Sequence, residues 1–301
     1  FGDDENLNHL GFSVLGIDES IVYCGTAGGL NKSIDGGISW EKFNHQNQQN
    51  SISGNWVIDI TRDTISKTIW ASTWKANGET EFFGVSKSDD GGNNWTNYLR
   101  DEKIYFHGHK HSPLGAEVFL PTDKGVYRSN NNGVTWIKNP PIEDSETNLK
   151  ILTNTFFVVG VNENEDNRYN IWLGSDDGLA KLSEDGSHWN GKWKVYISSP
   201  EISSSSEAIA FPNPFSPDSE PIKIKYSFKA GNKNVSLRIF DFGMNLVKTV
   251  VQNITRASDA ENFENWNGKD ENNNIVPNGV YFYRIDIGND EPLFGKIIVL
   301  M

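Results

Sequence analysis

Short runs of alternating hydrophobic and polar residues recur through residues 1–197, and clusters of Gly, Asn and Asp separate them. Such runs predict half-buried β-strands, because successive side chains of a strand point to opposite faces of a sheet. No comparable run has the 3.6-residue period of an amphipathic helix. The predicted strands group into four successive units, at residues 13–43, 55–95, 104–136 and 156–197.

Each predicted unit contains one version of a short sequence motif that ends in tryptophan. Successive copies of the motif start 41 to 55 residues apart. An Asp or Asn side chain that accepts hydrogen bonds from its own turn, followed by Gly, predicts a tight turn between strands. The closing Trp is expected to pack against a neighbouring sheet. The residues are Ser33, Asp35, Gly37 and Trp40; Ser88, Asp90, Gly92 and Trp95; Ser129, Asn131, Gly133 and Trp136; and Ser183, Asp185 and Trp189, in a fourth copy that is one residue short.

These motifs resemble the Asp-box, or BNR repeat, of sialidase-like β-propellers, in which the Asp-box forms the turn between the last two strands of a blade. The resemblance implies about four blades in residues 1–197 and a structural role for the box residues. Propellers of this kind usually close with six or more blades. We therefore expect a partial or unusually small propeller, with a protein partner or further upstream blades completing it. We also expect the chain, which begins at Phe1, to be processed or a fragment.

The composition changes at residues 198–207, a serine-rich stretch with few apolar residues that predicts an interdomain linker. Beyond it, Ile222–Phe228 and Val235–Asp241 alternate as half-buried strands do. About seven predicted strands in residues 208–301 favour an immunoglobulin-like β-sandwich. The sequence therefore predicts an all-β chain with two domains and a linker.

The second domain resembles the C-terminal sorting domain of type IX secretion cargo, which is similar to the immunoglobulin-like domain of flagellar hook-capping proteins. The resemblance implies export by the type IX secretion machinery of a Bacteroidetes-type bacterium, to the extracellular space or the outer-membrane surface. An alternative is that Gly268, Asp270, Asn278 and Gly279 only form turns, and that Trp266 and Tyr281 only fill the sandwich core. The matching segments are Phe211–Phe215, Arg238–Asp241 with Gly243, Trp266–Asp270, Pro277–Arg284 and Lys296–Leu300.

The net charge of −13 argues against partners that present a phosphate backbone or an anionic membrane surface, so no nucleic acid is expected. No apolar run approaches the ~20 residues of a transmembrane helix. The single cysteine, Cys24, has no partner for an internal disulfide and is interpreted as a small buried hydrophobe.

Three of the six histidines, His107, His109 and His111, occupy alternate positions. On a β-strand this spacing places all three imidazoles on one face, which suits Zn or Cu if a bulge draws them together. On an innermost strand that face could line a central channel. The alternative is an exposed polar strand or loop, favoured by Gly108, Lys110 and the proline that follows. No other cofactor is predicted.

Two acidic segments faintly suggest ion binding. Residues 270–274 resemble the start of a calcium loop, but the sixth and twelfth positions hold Ile275 and Tyr281, so a turn is favoured. Residues 162–166 are interpreted as a solvated hairpin tip.

No catalytic residue is assigned. A sialidase needs three channel-facing arginines, and the predicted blades hold four, of which Arg128 is expected on an outer strand. No nucleophile and base, phosphate-binding loop or dinucleotide fingerprint is evident. The four arginines are Arg62, Arg100, Arg128 and Arg168.

A second enzymatic alternative is a xyloglucanase-like propeller, with aromatic platforms for sugars and paired carboxylates. Trp56, Trp70 and Trp74 are the candidate platforms, and Asp59 or Asp63 the candidate acid. Trp56 and Trp70 also suit packing between blades. The sequence thus favours a secreted, non-catalytic binding or structural scaffold, and leaves open a carbohydrate-active protein that hydrolyses or binds glycans.

Overall fold

The computed structural model describes residues 7–112, 115–163, 168–186, 188–200, 202, 207–258 and 260–301. Within these ranges the chain forms a 3₁₀ helix, Leu7–His9, and 23 strands. The strands are β1 Gly11–Gly16, β2 Val22–Thr26, β3 Gly29–Ser33, β4 Glu41–Phe43, β5 Trp56–Arg62, β6 Ile69–Trp74, β7 Gly84–Ser88, β8 Thr96–Tyr98, β9 Gly108–Ser112, β10 Gly115–Thr122, β11 Gly125–Ser129, β12 Ile137–Lys138, β13 Phe156–Glu163, β14 Tyr169–Ser175, β15 Leu179–Glu184, β16 Gly191–Tyr196, β17 Ala208–Phe211, β18 Ile222–Tyr226, β19 Lys233–Phe240, β20 Leu246–Arg256, β21 Asn262–Trp266, β22 Gly279–Ile287 and β23 Leu293–Val299.

Strands β1 to β16 form four antiparallel sheets, each of four strands consecutive in the chain. We call them the first to fourth sheets: β1–β4, β5–β8, β9–β12 and β13–β16. A four-stranded antiparallel sheet of this kind is the repeating unit, or blade, of a β-propeller. Together with the sandwich described below, these sheets confirm the predicted fold class, all-β with about four propeller blades and a C-terminal sandwich.

Each of the first three turns between the third and fourth strands is closed by the same hydrogen bonds. In the first turn, Gly37 N donates to Ser33 Oγ at 2.8 Å and Ser39 N donates to Asp35 Oδ1 at 2.8 Å. The side-chain acceptors therefore replace backbone partners inside the turn. The equivalent distances are 2.8 Å for Gly92 to Ser88, 2.9 Å for Asn94 to Asp90, 2.9 Å for Gly133 to Ser129 and 2.9 Å for Thr135 to Asn131.

The fourth turn is one residue shorter than the others, because six residues separate β15 from β16 and seven separate the third and fourth strands of each other sheet. Lys181 lies opposite Trp172, which places Leu182 where the other turns have serine and Glu184 where they have Asp or Asn. Ser183 Oγ donates instead to Asn170 Oδ1 on the adjacent strand, at 3.0 Å. Asp185 is thus one position beyond the acidic position. Residue 187 of this turn lies outside the described residues.

One pair of side chains recurs on the same face of all four sheets. An aromatic residue on the second strand lies opposite a basic residue on the third strand, directly before the turn. We call this the trailing face, and the opposite face of each sheet the leading face. The pairs are Tyr23–Lys32, Trp70–Lys87, Phe119–Arg128 and Trp172–Lys181.

The tryptophan that closes a turn packs on the trailing face of the preceding sheet. Trp136 meets Trp70 edge-on with ring centroids 6.1 Å apart, and Trp189 meets Phe119 at 5.6 Å. Trp95 shares a buried cluster with Tyr23. Each sheet is therefore joined to the one before it by the same aromatic contact, which supplies the area burial and ring geometry that stabilise blade packing.

Strands β17 to β23 form a sandwich of two sheets, ordered β17-β18-β21 and β20-β19-β22-β23. Inward-facing residues alternate along β19, where Val235, Leu237 and Ile239 are fully buried. Ile285 and Ile297 complete the same core from β22 and β23. The alternation predicted from the sequence thus builds the inner face of the larger sheet.

Residues of the segments that resemble a sorting domain meet in this core. Phe215 packs against Trp266 with ring centroids 5.7 Å apart, and Trp266 packs against Tyr281 at 5.6 Å. Trp266 Nε1 donates to Lys269 O at 2.9 Å. Gly268 has φ of +69°, and a Cβ there would come within 2.4 Å of Pro217 Cγ, so glycine is required.

The chain packing divides into two compact units, residues up to Pro141 with Thr153–Lys192, and Ile142–Leu152 with Trp193–Met301. The domain limits at 1–197, 198–207 and 208–301 remain predictions. Residues 201 and 203–206 of the predicted linker lie outside the described residues. In the described part of the chain, no helix has the length and apolar character needed to cross a membrane.

Candidate functional site

A series of aromatic residues connects the first strands of the first, second and fourth sheets through Tyr105, which precedes β9. Phe12 and Trp56 are 46% and 37% exposed, and their ring centroids lie 6.2 Å apart. Trp56 lies opposite Trp74 across β5 and β6. Trp74 contacts Tyr105 at 5.4 Å, and Tyr105 contacts Phe157 at 5.2 Å. We call these five residues the aromatic track; Phe12, Trp56 and Phe157 are exposed, and Trp74 and Tyr105 are half-buried.

Of the three tryptophans proposed as sugar platforms, Trp70 does not belong to this track. It is fully buried between the second and third sheets, where it contacts Tyr98 and Trp136. A sugar cannot reach its ring, so the packing alternative holds for Trp70. Trp74 is half-buried and donates its Nε1 to Ile104 O at 2.9 Å.

The three alternate histidines lie on one face and contact Asp59 and Thr61 of β5 and Asp63, which directly follows it. His109 Nε2 is 2.8 Å from Thr61 Oγ1, and His111 Nε2 is 3.3 Å from Asp63 Oδ1. The rings of His109 and His111 stack at 6.2 Å. The histidines therefore face the second sheet and not a central channel, because the leading face of the third sheet packs on β5.

His107 is the buried end of this row. Its Nδ1 lies 2.8 Å from Asp59 Oδ2 and its Nε2 lies 3.3 Å from Ser72 Oγ. The structure thus brings together a serine, a histidine and an aspartate, an arrangement that the sequence analysis did not find. Ser72 and the His107 side chain are both fully buried, so no substrate carbonyl reaches the hydroxyl. Asp59, a candidate acid, is occupied by this contact.

Metal binding by His107, His109 and His111 remains a prediction. Among the residues that the structure describes, no three His, Cys, Asp or Glu side chains converge as metal ligands do. Burial, with the nearby His107, lowers the pKa of His109 to about 4, which keeps the ring neutral and able to bind a metal. Elemental analysis after Zn or Cu saturation, with His109→Ala as control, tests the prediction; metal-free protein would contradict it.

The remaining face of the same strand carries a buried charge cluster between the third and fourth sheets. Lys110 Nζ lies 3.1 Å from Glu117 Oε1 and 2.6 Å from Glu184 Oε2. Arg128 binds the same two carboxylates, through Nε to Glu117 Oε2 at 2.6 Å and through Nη1 and Nη2 to Glu184. Two positive and two negative side chains thus neutralise one another away from water.

Arg128 lies on β11, the third strand of its sheet, and its side chain is fully buried. Its guanidinium also stacks 4.8 Å from the Phe119 ring centre and 5.4 Å from that of Trp189. Burial alone would raise the pKa of Glu184, but hydrogen bonds from Arg128 and Lys110 outweigh it and lower the pKa. The cluster is ionised and holds two sheets together, which leaves no free arginine here for a substrate carboxylate.

The leading face of the first sheet is partly exposed. It carries Val14, Val22, Cys24 and Trp40, whose counterparts in the second sheet, Ile60, Ile69, Ala71 and Trp95, are buried. Val14 is 71% exposed and Trp40 is 47% exposed, whereas the equivalent Trp95 is 5% exposed. Burial raises the pKa of the Cys24 thiol, which is only half-buried. An exposed apolar face of this kind marks an interaction surface.

The two acidic segments that faintly suggest ion binding are residues 270–274 and 162–166. Asp270 Oδ1 accepts hydrogen bonds from Asn272 N at 2.8 Å and Asn274 N at 2.9 Å, which is turn geometry. Residues 164–166 of the other segment lie outside the described residues.

No protein-family model and no curated protein matches the chain. Three similar solved structures are PorZ, a surface component of the type IX secretion system of Porphyromonas gingivalis; the extracellular domain of the hybrid two-component system BT3049 of B. thetaiotaomicron; and an ancestral GH74 enzyme. PorZ is 15% identical over 96% of this chain and 51% of its own, with a TM-score of 0.33. The BT3049 domain is 11% identical over 96% and 44%, with a TM-score of 0.36. The GH74 enzyme is 15% identical over 93% and 39%, with a TM-score of 0.44.

This chain spans about half the length of the first of these structures, 51% of PorZ and 44% of the BT3049 domain. At such identities the likeness concerns the fold alone. The activities and partners of these proteins therefore belong to them.

Proposed function

We propose that this chain is a secreted or cell-surface scaffold of propeller blades that binds partners without catalysis, and that its C-terminal sandwich is a type IX secretion sorting domain. Its proposed location is the extracellular space or outer-membrane surface of a Bacteroidetes-type bacterium. The observation that carries the scaffold role is the pairing of buried polar groups between sheets. Arg128 with Glu184 and His107 with Asp59 stabilise the packing, and the Ser72 hydroxyl beside His107 is buried away from any substrate.

The sorting role is supported by the way the matching segments bind one another. Asn213 Nδ2 donates to Lys296 O at 2.9 Å, and Asn213 Oδ1 accepts from Ile298 N at 2.8 Å. Asn278 Oδ1 accepts from Met301 N at 2.7 Å. These side chains tie the first segment of the domain to its last strand, so a receptor that recognises the folded domain would meet one joined surface.

Expression of the full chain in a Bacteroidetes host tests the sorting proposal. We expect the chain on the cell surface or in the medium of a strain with a working type IX system, and inside the cell of an isogenic strain without the secretion channel. Protease treatment of intact cells, followed by immunoblotting, measures the location. Equal surface exposure in both strains would contradict the sorting role.

Glycan binding on the aromatic track is a second candidate function, favoured by the exposed pair Phe12 and Trp56. A glycan array and a hydrolysis screen separate the two candidates. Trp56→Ala is expected to abolish any glycan binding, whereas Trp40→Ala, which removes another exposed tryptophan, should leave it unchanged. Hydrolysis of any β-glucan would refute the non-catalytic scaffold. Absence of both binding on the array and hydrolysis in the screen would disfavour the glycan function.

A further inference from the structure

The leading face of the first sheet repeats, position by position, a surface that packs against a preceding sheet three times within this chain. Val22, Cys24 and Trp40 hold the places of Ile69, Ala71 and Trp95 in the second sheet. Ile69 and Ala71 are 3% and 0% exposed, because the trailing face of the first sheet covers them. The first sheet thus carries the same residue types for a contact that no other described sheet of the chain supplies.

The three contacts between successive sheets of this chain show what kind of surface covers a leading face. In each, the closing tryptophan meets an aromatic ring whose cross-strand neighbour is lysine or arginine. In the contact between the first and second sheets, the cation also binds the incoming turn: Lys32 Nζ donates to Gly91 O at 2.8 Å, and Tyr23 Oη donates to the same oxygen at 2.9 Å. The partner of the first sheet must therefore be a β-sheet with an aromatic–cation pair.

The fourth sheet carries such a pair. Trp172 and Lys181 lie opposite each other, with the Lys181 ammonium 5.3 Å from the Trp172 ring centre. Val158 and Leu179 lie on the same face and are 45% and 37% exposed. One chain thus presents both halves of the repeated contact, at the two ends of its row of sheets.

We propose that the leading face of the first sheet docks on the trailing face of the fourth sheet of a second copy of this chain, with Trp40 against Trp172 and Lys181. Two copies joined reciprocally in this way bring together eight sheets, within the usual size of a closed propeller of about 4–8 blades. A head-to-tail contact that closes on itself gives a discrete assembly, and one that does not close gives a filament. This inference rests on the proposed binding role of the exposed face and names its partner.

The oligomeric state of the full chain tests the proposal. We expect light scattering after gel filtration to show twice the chain mass of 33.8 kDa at high concentration. Trp40→Ala and Lys181→Glu should each weaken self-association, by about 30-fold for the tryptophan as expected of an interface hot spot. Phe242→Ala, which truncates an aromatic residue 78% exposed on the sandwich, is the matched control and should leave the dimer intact.

Mixing the two variants tests the orientation. Each variant retains the half of the contact that the other lacks, so an equimolar mixture of Trp40→Ala and Lys181→Glu should regain one intact contact and associate more strongly than either alone. A mixture that stays as weakly associated as its components contradicts head-to-tail docking. A wild-type chain that stays monomeric at every concentration overturns the proposal.

Cys24 reports on the same face without mutation. It is the single cysteine and lies half-buried on the leading face, so docking should slow its reaction with a maleimide as the protein concentration rises. A rate independent of concentration while a dimer forms would place the dimer contact elsewhere and overturn the proposal. Surface location in bacteria is a separate readout, so failure of the sorting function and failure of this docking are distinguishable.

Discussion

Trp40 and Trp95 close two copies of the same turn, yet Trp40 is 47% exposed and Trp95 is 5% exposed. Both indole nitrogens donate to a glycine carbonyl of their own turn, Trp40 to Gly37 O at 3.1 Å and Trp95 to Gly92 O at 3.0 Å. The turn therefore forms from local hydrogen bonds in either setting. Burial of the tryptophan depends on a sheet that packs on it: the first sheet covers Trp95, and no described sheet covers Trp40.

Trp40 and Trp95 together separate two contributions to stability within the repeated motif, one from the turn and one from contact between sheets. Serine and aspartate stabilise the turn by local hydrogen bonds, while tryptophan stabilises contact between sheets by burying apolar area. The substitutions below act on one contribution at a time.

The largest expected effect comes from truncating the closing tryptophan in the buried setting. Trp95→Ala should lower the free energy of unfolding by about 3–5 kcal/mol, because it leaves a cavity in the cluster with Tyr23 and Leu30. Trp40→Ala should change it by less than about 1 kcal/mol. Urea unfolding followed by circular dichroism, at a concentration where the chain is monomeric, measures both. Equal losses would show that the two tryptophans share one role.

The cation of the trailing face gives the next test. Arg128→Met should lower the free energy of unfolding by about 3 kcal/mol, because Lys110 alone must then neutralise Glu117 and Glu184. Lys181→Met, at the same position of the repeat, should cost about 0–1 kcal/mol because Lys181 is only half-buried. Urea titration compares them, and a loss at Lys181 as large as that at Arg128 would contradict the role given to burial.

The glycine at the fourth turn position should respond equally in both settings. Gly36 and Gly91 both have φ of +73°, so Gly36→Ala and Gly91→Ala should each cost about 1–2 kcal/mol from backbone strain. Asn132, at the same position of the third turn with φ of +59°, is the natural precedent for a side chain there. Thermal unfolding measures the pair. A much larger loss at Gly91 would show that sheet packing, and not the turn, sets the cost.

The smallest expected effect is a pH dependence. Hydrogen bonds from Ser39 and Ser33 lower the pKa of Asp35 to about 2 from 3.8, so its stabilisation is present above pH 3.8 and is lost as the pH falls toward 2. Asp35→Asn should remove this dependence, because Asn131 makes the same backbone contact in the third turn. The difference in Tm between wild type and variant, followed from pH 5 to pH 2, measures it. Parallel Tm curves would contradict the assignment.

The strand alternation and the spacing of the turns were enough to predict the four sheets and the sandwich. The trailing-face repeat was also present in the sequence, since Tyr23, Phe119 and Trp172 each precede their basic partner by nine residues. In the second sheet a longer loop separates Trp70 from Lys87, which hides the spacing. Only the cross-strand pairs show that the aromatic–basic pair recurs in all four sheets.

The candidate site was harder to predict, because neighbouring sheets decide what each residue contacts. The segment from His107 to His111 shows the reason: its histidines face the second sheet, while Lys110 faces the fourth. The two-residue period assigned these side chains to opposite faces, but not to partners. Arg128 is similar, because its burial depends on Glu184, which lies 56 residues later in the chain.

The sequence by itself determined which segments become strands, which segments form the turns that end in tryptophan, and which side chains share a face of a sheet. These features follow from backbone periodicity and local hydrogen bonds. Tertiary structure alone decided the register of the fourth turn, the burial of Trp70 and Arg128, and the exposure of Trp40. Those outcomes depend on which sheet packs against which. Local sequence patterns do not determine contacts between residues that are far apart in the chain.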